Sequence, residues 1–117
     1  MKRPTFKGGI NIAIKIPKDR YESTLNFYKD IMDLELTKES KNSHSLKFGN
    51  NRLWLDMVEN YSQTDIWLEI KTDNMENARD YLKQKGIKFR DELEKFPEGL
   101  NANWISDPAG VILLLNE

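Results

Sequence analysis

The sequence predicts an α+β fold made of two strand-helix-strand-strand-strand (βαβββ) modules, and three observations carry that prediction. Isoleucine stands at every second position of Asn11-Ile12-Ala13-Ile14-Lys15-Ile16, the period of a strand with one face on a core. The same strand and a helix signal recur half a chain later: Asp65 to Lys71 alternates, strand end Ile16 matches Ile70, and Asp19 matches Asp73. Val111 to Leu115 is apolar at every position, so both faces of this closing strand should be covered, one of them by a ligand or a second subunit. The modules span about residues 8–60 and 64–117, within a single domain, because 117 residues suit one core rather than two.

In chain order, Gly8-Gly9 releases the first strand, in which Ile12, Ile14 and Ile16 point inward and Asn11, Ala13 and Lys15 point outward. Asp19, followed three residues later by Glu22, resembles a capping box and starts a helix. Its apolar stripe is Tyr21, Leu25, Tyr28 and Met32, widened by Phe27 and Ile31. Strands follow at Leu34 to Glu39, His44 to Phe48 and Arg52 to Val58; the last puts Leu53, Leu55 and Met57 on one face and Trp54 and Asp56 on the other. The second module repeats the plan, with Asp73 and Glu76 as its cap, Met75, Ala78, Tyr81 and Leu82 as its stripe, and Gly86 as the left-handed residue beyond the helix. A strand near Ile87 to Arg90 leads to an irregular section, Asp91 to Gly99, where Pro97 and Gly99 are the turn residues. Leu100 to Ile105 then runs into a hairpin turned by Asp107-Pro108-Ala109-Gly110.

Composition removes several function classes. Eighteen lysines and arginines against 19 acids give a net charge of -1, with no basic stripe, so nucleic acid is not expected as a partner. The absence of cysteine excludes disulfides and thiolate chemistry. The opening Met1 to Lys7 has the charge of a signal sequence but no apolar run behind it, and no segment reaches the length of a membrane span. No membrane partner and a cytoplasmic location are therefore the expectation.

Two modules of this kind put both helices on one face of their strands and leave the other face open, which is where function is sought. By alternation that face carries Asn11, Ala13, Lys15, Trp54, Asp56, Asp65, Trp67, Glu69, Ala102, Trp104, Ile112 and Leu114, including all three tryptophans. Aromatic walls with a few polar groups describe a small-molecule site, and Asp56 and Glu69 would suit a cationic ligand. The plainer alternative is that the tryptophans are packing. Asp56 and Glu69 could also serve as general acid and base. His44 shares the face of Leu46 and Phe48 and so points toward the helices as a structural residue.

At this point the residues resemble the vicinal oxygen chelate superfamily, which includes glyoxalases, bleomycin-resistance proteins and extradiol dioxygenases. Asn11 to Ile16 resembles its first strand, Phe27 to Glu35 its helix end FYxDxLGLE with Met32 and Asp33 departing, and Asp107 to Val111 its DPDGN turn with Ala109 and Val111 departing. The resemblance implies paired modules whose mixed sheet curls around a cup, with helices on the outer face. Metal-dependent members place ligands at positions that fall on Asn11, Asp56, Asp65 and Leu114, and only Asp56 and Asp65 are good donors. No metal and no cofactor are therefore expected. The reading is a metal-free protein that holds a small aromatic or cationic ligand, with Asn11, Trp54, Asp56, Trp67, Glu69, Trp104 and Leu114 as its contacts, in a homodimer. The rivals are a lyase or isomerase using Asp56 and Glu69, and a non-catalytic dimeric interaction protein.

Overall fold

The structure, a computed structural model, describes residues 3–96 and 99–117. Met1, Lys2 and the expected turn residue Pro97 lie outside the described residues. The elements are β1 (Phe6–Gly8), β2 (Asn11–Pro17), α1 (Lys18–Asn26), β3 (Leu36–Glu39), β4 (Ser43–Phe48), β5 (Asn51–Val58), β6 (Asp65–Thr72), α2 (Met75–Gln84), β7 (Lys88–Phe89), β8 (Ala102–Ser106) and β9 (Ile112–Asn116). The fold is α+β with mixed strand pairing, as the alternation predicts. Among the described residues no helix is long and apolar enough to cross a membrane. The described residues form two compact units, residues 10–67 and residues 3–9 with 68–96 and 99–117, and β6 begins in one and ends in the other.

In the 10–67 unit β2 pairs with β5 in parallel and with the opening of β6 antiparallel, while β4 joins β5 and β3 joins β4, both antiparallel. One face of these strands meets α1 in a core of Ile16, Tyr21, Leu46, Leu53 and Leu55, ringed by Ile12, Ile14, Leu25, Tyr28 and Met57. The two-residue period therefore assigned this face correctly. The helix departs from expectation at both ends. Asp19 does not cap it: Pro17 holds the cap position with extended backbone and no side-chain cap bond, which leaves Asp19 inside the first turn, where its charge faces the helix dipole. At the other end Phe27–Ile31 winds as a π-turn, closed by the Met32 amide on the Phe27 carbonyl at 2.9 Å. The wider turn carries the late stripe residues off the core face, so Phe27, Ile31 and Met32 are exposed. Asp33 at φ 55 then redirects the chain, and β3 starts at Leu36 rather than Leu34.

In the other unit β9 runs parallel to β6, β8 antiparallel to β9, and β7 antiparallel to β8. The short β1, absent from the sequence reading, pairs antiparallel with β6 from Phe6↔Thr72 to Gly8↔Ile70. Helix α2 buries Met75 and Ala78 against Ile105 and Leu115, with Ile70, Leu82, Phe89 and Leu113 around them. Its cap is Asn74, not Asp73: Asn74 has extended backbone and its side chain accepts the Asn77 amide at 2.9 Å. Asp73 instead accepts the Thr5 amide at 3.1 Å, and that bond above all holds its carboxyl below the usual range. Gly86 takes the left-handed conformation (φ 77) that ends the helix. The irregular stretch after β7 is organised by Asp91, which accepts the Trp104 amide at 2.9 Å and the Asn103 side chain at 2.7 Å. The Asp107 turn forms as expected, with the Gly110 amide on the Asp107 carbonyl at 3.0 Å. The Asp107 side chain also takes the Val111 amide at 2.8 Å, and β9 starts one residue later than the apolar run. Ile112 and Leu115, which face opposite sides of β9, are both buried.

Candidate functional site

Register turns the open face of the 10–67 unit into cross-strand rows. Ser43, Asp56, Lys15 and Asp65 lie side by side on β4, β5, β2 and β6; Ser45, Trp54, Ala13 and Trp67 form the next row; Lys47, Arg52 and Asn11 form the third. The first row is an internal ion pair. Lys15 is buried, and its ammonium lies 2.8 Å from Asp56 Oδ2, whose other oxygen accepts the Ser43 hydroxyl at 2.5 Å. The same ammonium stands 4.3 Å from the centre of the Trp67 ring, a cation-π contact inside the unit. Lys15 is thus the residue of this row that alternation places on the same face but that the expected site leaves out. Alternation gives its face, while its partner depends on the parallel β2–β5 register, which no local pattern encodes.

The three tryptophans differ. Trp67 is buried, carries Lys15 over its ring and points its indole nitrogen at Asp65 Oδ2 across 3.4 Å. Trp104, in the other unit, is buried, stacks on Phe96 with ring centres 5.1 Å apart, and donates to the Glu94 carbonyl at 3.0 Å. Trp54 is half-buried, flanked by the small side chains of Ser45 and Ala13, and donates to Asn11 Oδ1 at 2.9 Å. In that other unit Glu69, Leu114 and Trp104 form one row across β6, β9 and β8. Glu69 is buried and accepts the Asn116 side chain at 3.1 Å, and Lys71 in turn donates to Asn116. Gly9 lies against the Glu69 side chain, and a Cβ there would stand 2.1 Å from Glu69 Oε1, so a larger residue at this position would force that side chain to move. Asn11, Trp54, Asp56, Asp65 and Trp67 therefore share one unit, whereas Glu69, Trp104 and Leu114 share the other.

Behind the open face of the 10–67 unit, the Tyr21 hydroxyl lies 2.8 Å from the Leu55 carbonyl and 2.6 Å from His44 Nδ1. A phenol has one proton and a carbonyl can only accept, so that proton belongs to the Leu55 bond. His44 Nδ1 must then carry the hydrogen that it donates to the phenol oxygen, which fixes the tautomer. Burial, foremost, then the charges of Asp56 and Glu22, push the phenol up to about 12. His44 is a satisfied core residue.

The residues at the family's metal positions do not fit a divalent ion. Asn11 opens β2, while Asp65 pairs with Lys15 four residues further along that strand, about 13 Å away at the usual rise. Antiparallel pairing puts the starts of β2 and β6 at opposite ends, so these two short side chains cannot meet at coordination bonds of about 2 Å. Asp56 is already neutralised by Lys15, and among the described residues no three of His, Cys, Asp or Glu gather.

Comparison with known proteins gives the same fold. A homoprotocatechuate 2,3-dioxygenase from Arthrobacter globiformis superposes with TM-score 0.66 at 19% identity, over 93% of this chain and 35% of that one. The Mn(II)-bound glyoxalase from Novosphingobium aromaticivorans gives 0.66 at 16% identity, over 92% and 37%. A hypothetical protein from Bacillus halodurans gives 0.68 at 14% identity, over 97% and 94%. The chain thus spans about a third of the length of the first two, and at these identities the likeness is one of fold alone. No curated protein sequence matches the chain. The sequence profile of the Glyoxalase/Bleomycin resistance protein/Dioxygenase superfamily matches residues 11–115, nearly the whole chain, and the protein belongs to that superfamily.

Proposed function

We propose that this protein binds a small planar aromatic molecule without a divalent metal, beside Trp54 on the open face of the 10–67 unit. The carrying observation is the state of Trp54: its indole N–H is fixed by Asn11, its strand neighbours are a serine and an alanine, and the residue is only partly buried. Thr37 covers the Ser45 flank, so the side of the ring next to the small, partly buried Ala13 is the one that suits a second ring at stacking distance. Trp67 serves the site less directly, since Lys15 already lies on its ring; Trp104 belongs to the other unit, where Phe96 stacks on it. Asp56, paired with Lys15, adds no net charge, which shifts the ligand away from the cation that the sequence alone suggested. The same facts support sequestration rather than turnover, since Asp56 and Asn11 on this face are committed to internal partners. Calorimetric titration of the full chain with neutral bicyclic aromatics tests the proposal. Saturable binding should weaken at least tenfold in Trp54→Leu; binding that ignores this substitution removes the site.

A further inference from the structure

The β4–β5 hairpin turns through Gly49 and Asn50, with Gly49 at φ 62, and its last paired positions before the turn include Lys47 directly opposite Arg52. Like charges facing each other across an antiparallel pair are unfavourable. Among the described residues neither Lys47 nor Arg52 has a carboxylate in hydrogen-bond or ion-pair contact with its side chain. Both line a concavity of about 230 Å³ together with Ile10, Thr37, Asn50 and Asn51. Pockets that enclose a whole drug-sized ligand run from roughly 300 to 1,000 Å³, so this one suits a head group.

We propose that this concavity binds an oxyanion, carboxylate or phosphate, in the fork of the Arg52 guanidinium with Lys47 opposite. Arg52 and Trp54 are two residues apart on the same face of β5, about 7 Å along the strand. A ring beside Trp54 therefore places an acidic group on a short tether at Arg52, and the ligand class becomes an aromatic acid. The aromatic half of this statement rests on the function proposed above; the oxyanion half stands on Lys47 and Arg52 alone.

Calorimetry on the full chain separates the two, with phenylpropionate, its uncharged methyl ester and inorganic phosphate as probes, on the native sequence and on the double variant Lys47→Gln, Arg52→Gln. Both substitutions lie beside an exposed turn and remove the repulsion between the facing charges, so a thermal midpoint at or above the native one verifies that the variant folds. The acid should bind at least tenfold more tightly than the ester, compete with phosphate, weaken as salt rises, and lose at least tenfold in the variant. Acid and ester binding alike, with the variant unchanged, overturns the oxyanion site and keeps the Trp54 reading. Phosphate binding that the variant loses, with no binding of either phenyl compound, keeps the oxyanion site and overturns the Trp54 reading. No binding by any probe overturns both.

Discussion

At the scale of single residues, the sharpest consequence concerns Tyr21. Its phenol donates to Leu55 and accepts from His44 inside the core, and burial raises it from 10.0 to about 12. The folded state therefore favours the neutral phenol. The stabilisation is fully present below the unfolded value near 10 and is lost as pH rises through the folded value near 12. Two pKa units correspond to roughly 3 kcal/mol. Denaturant unfolding should show the native protein losing about that much stability across this range, a loss missing from Tyr21→Phe. That variant starts lower, by roughly 1–3 kcal/mol at neutral pH, because it removes the acceptor of the buried His44 N–H and one bond to the Leu55 carbonyl. Parallel pH profiles for the two proteins would refute the assignment. The sequence shows Tyr21 as one apolar-face residue among several; that it carries a buried hydrogen-bond network depends on which strand residue comes to lie beneath the helix.

At the scale of elements, faces were legible and ends were not. Strict alternation sorts Ile12, Ile14, Ile16, Leu53, Leu55 and Met57 from Lys15, Trp54 and Asp56, because a strand has a single period and one slip would invert every side chain. Caps and turns depend on one residue's dihedrals. Asp19 and Asp73 satisfy the same four-residue pattern, yet the extended backbone falls on Pro17 and Asn74, and the pattern cannot tell neighbours apart. Nor does a three-residue strand such as β1, with Pro4 before it and two glycines at its end, show any period at all. The cap assignment is testable. Asn74→Ala should cost about 1 kcal/mol in urea unfolding, since it frees the Asn77 amide, while Asp19→Ala should cost no more than about half of that through the helix dipole alone. Equal costs would restore Asp19 as a cap.

At the scale of the whole molecule, the superfamily was legible from motif order, but the site's chemistry was not, because it rests on partners chosen by long-range register. Asn11 and Asp65 are equivalent in the repeat and look like paired ligand positions, yet antiparallel pairing separates them along β2. Lys15, two residues past the alanine that lies beside Trp54, places an ammonium on Asp56, one of the two good donors left at those positions. A positive charge held at 2.8 Å by that carboxylate opposes a second cation there, in addition to the shortage of donors. The thermodynamic consequence is direct. A divalent ion bound only by the folded state, at 100 times its Kd, would stabilise by about 2.7 kcal/mol and raise Tm by roughly 10 °C in a chain of this size. Zn²⁺, Mn²⁺ or Ni²⁺ added to the purified protein should instead move Tm by less than about 1 °C, and chelator should leave it unchanged. Replacing Lys15 with Met separates the two obstacles. If the ammonium alone kept metal away, the variant would acquire a metal-dependent rise in Tm; if the scattered donors are the deeper cause, as the β2–β6 register requires, it will not.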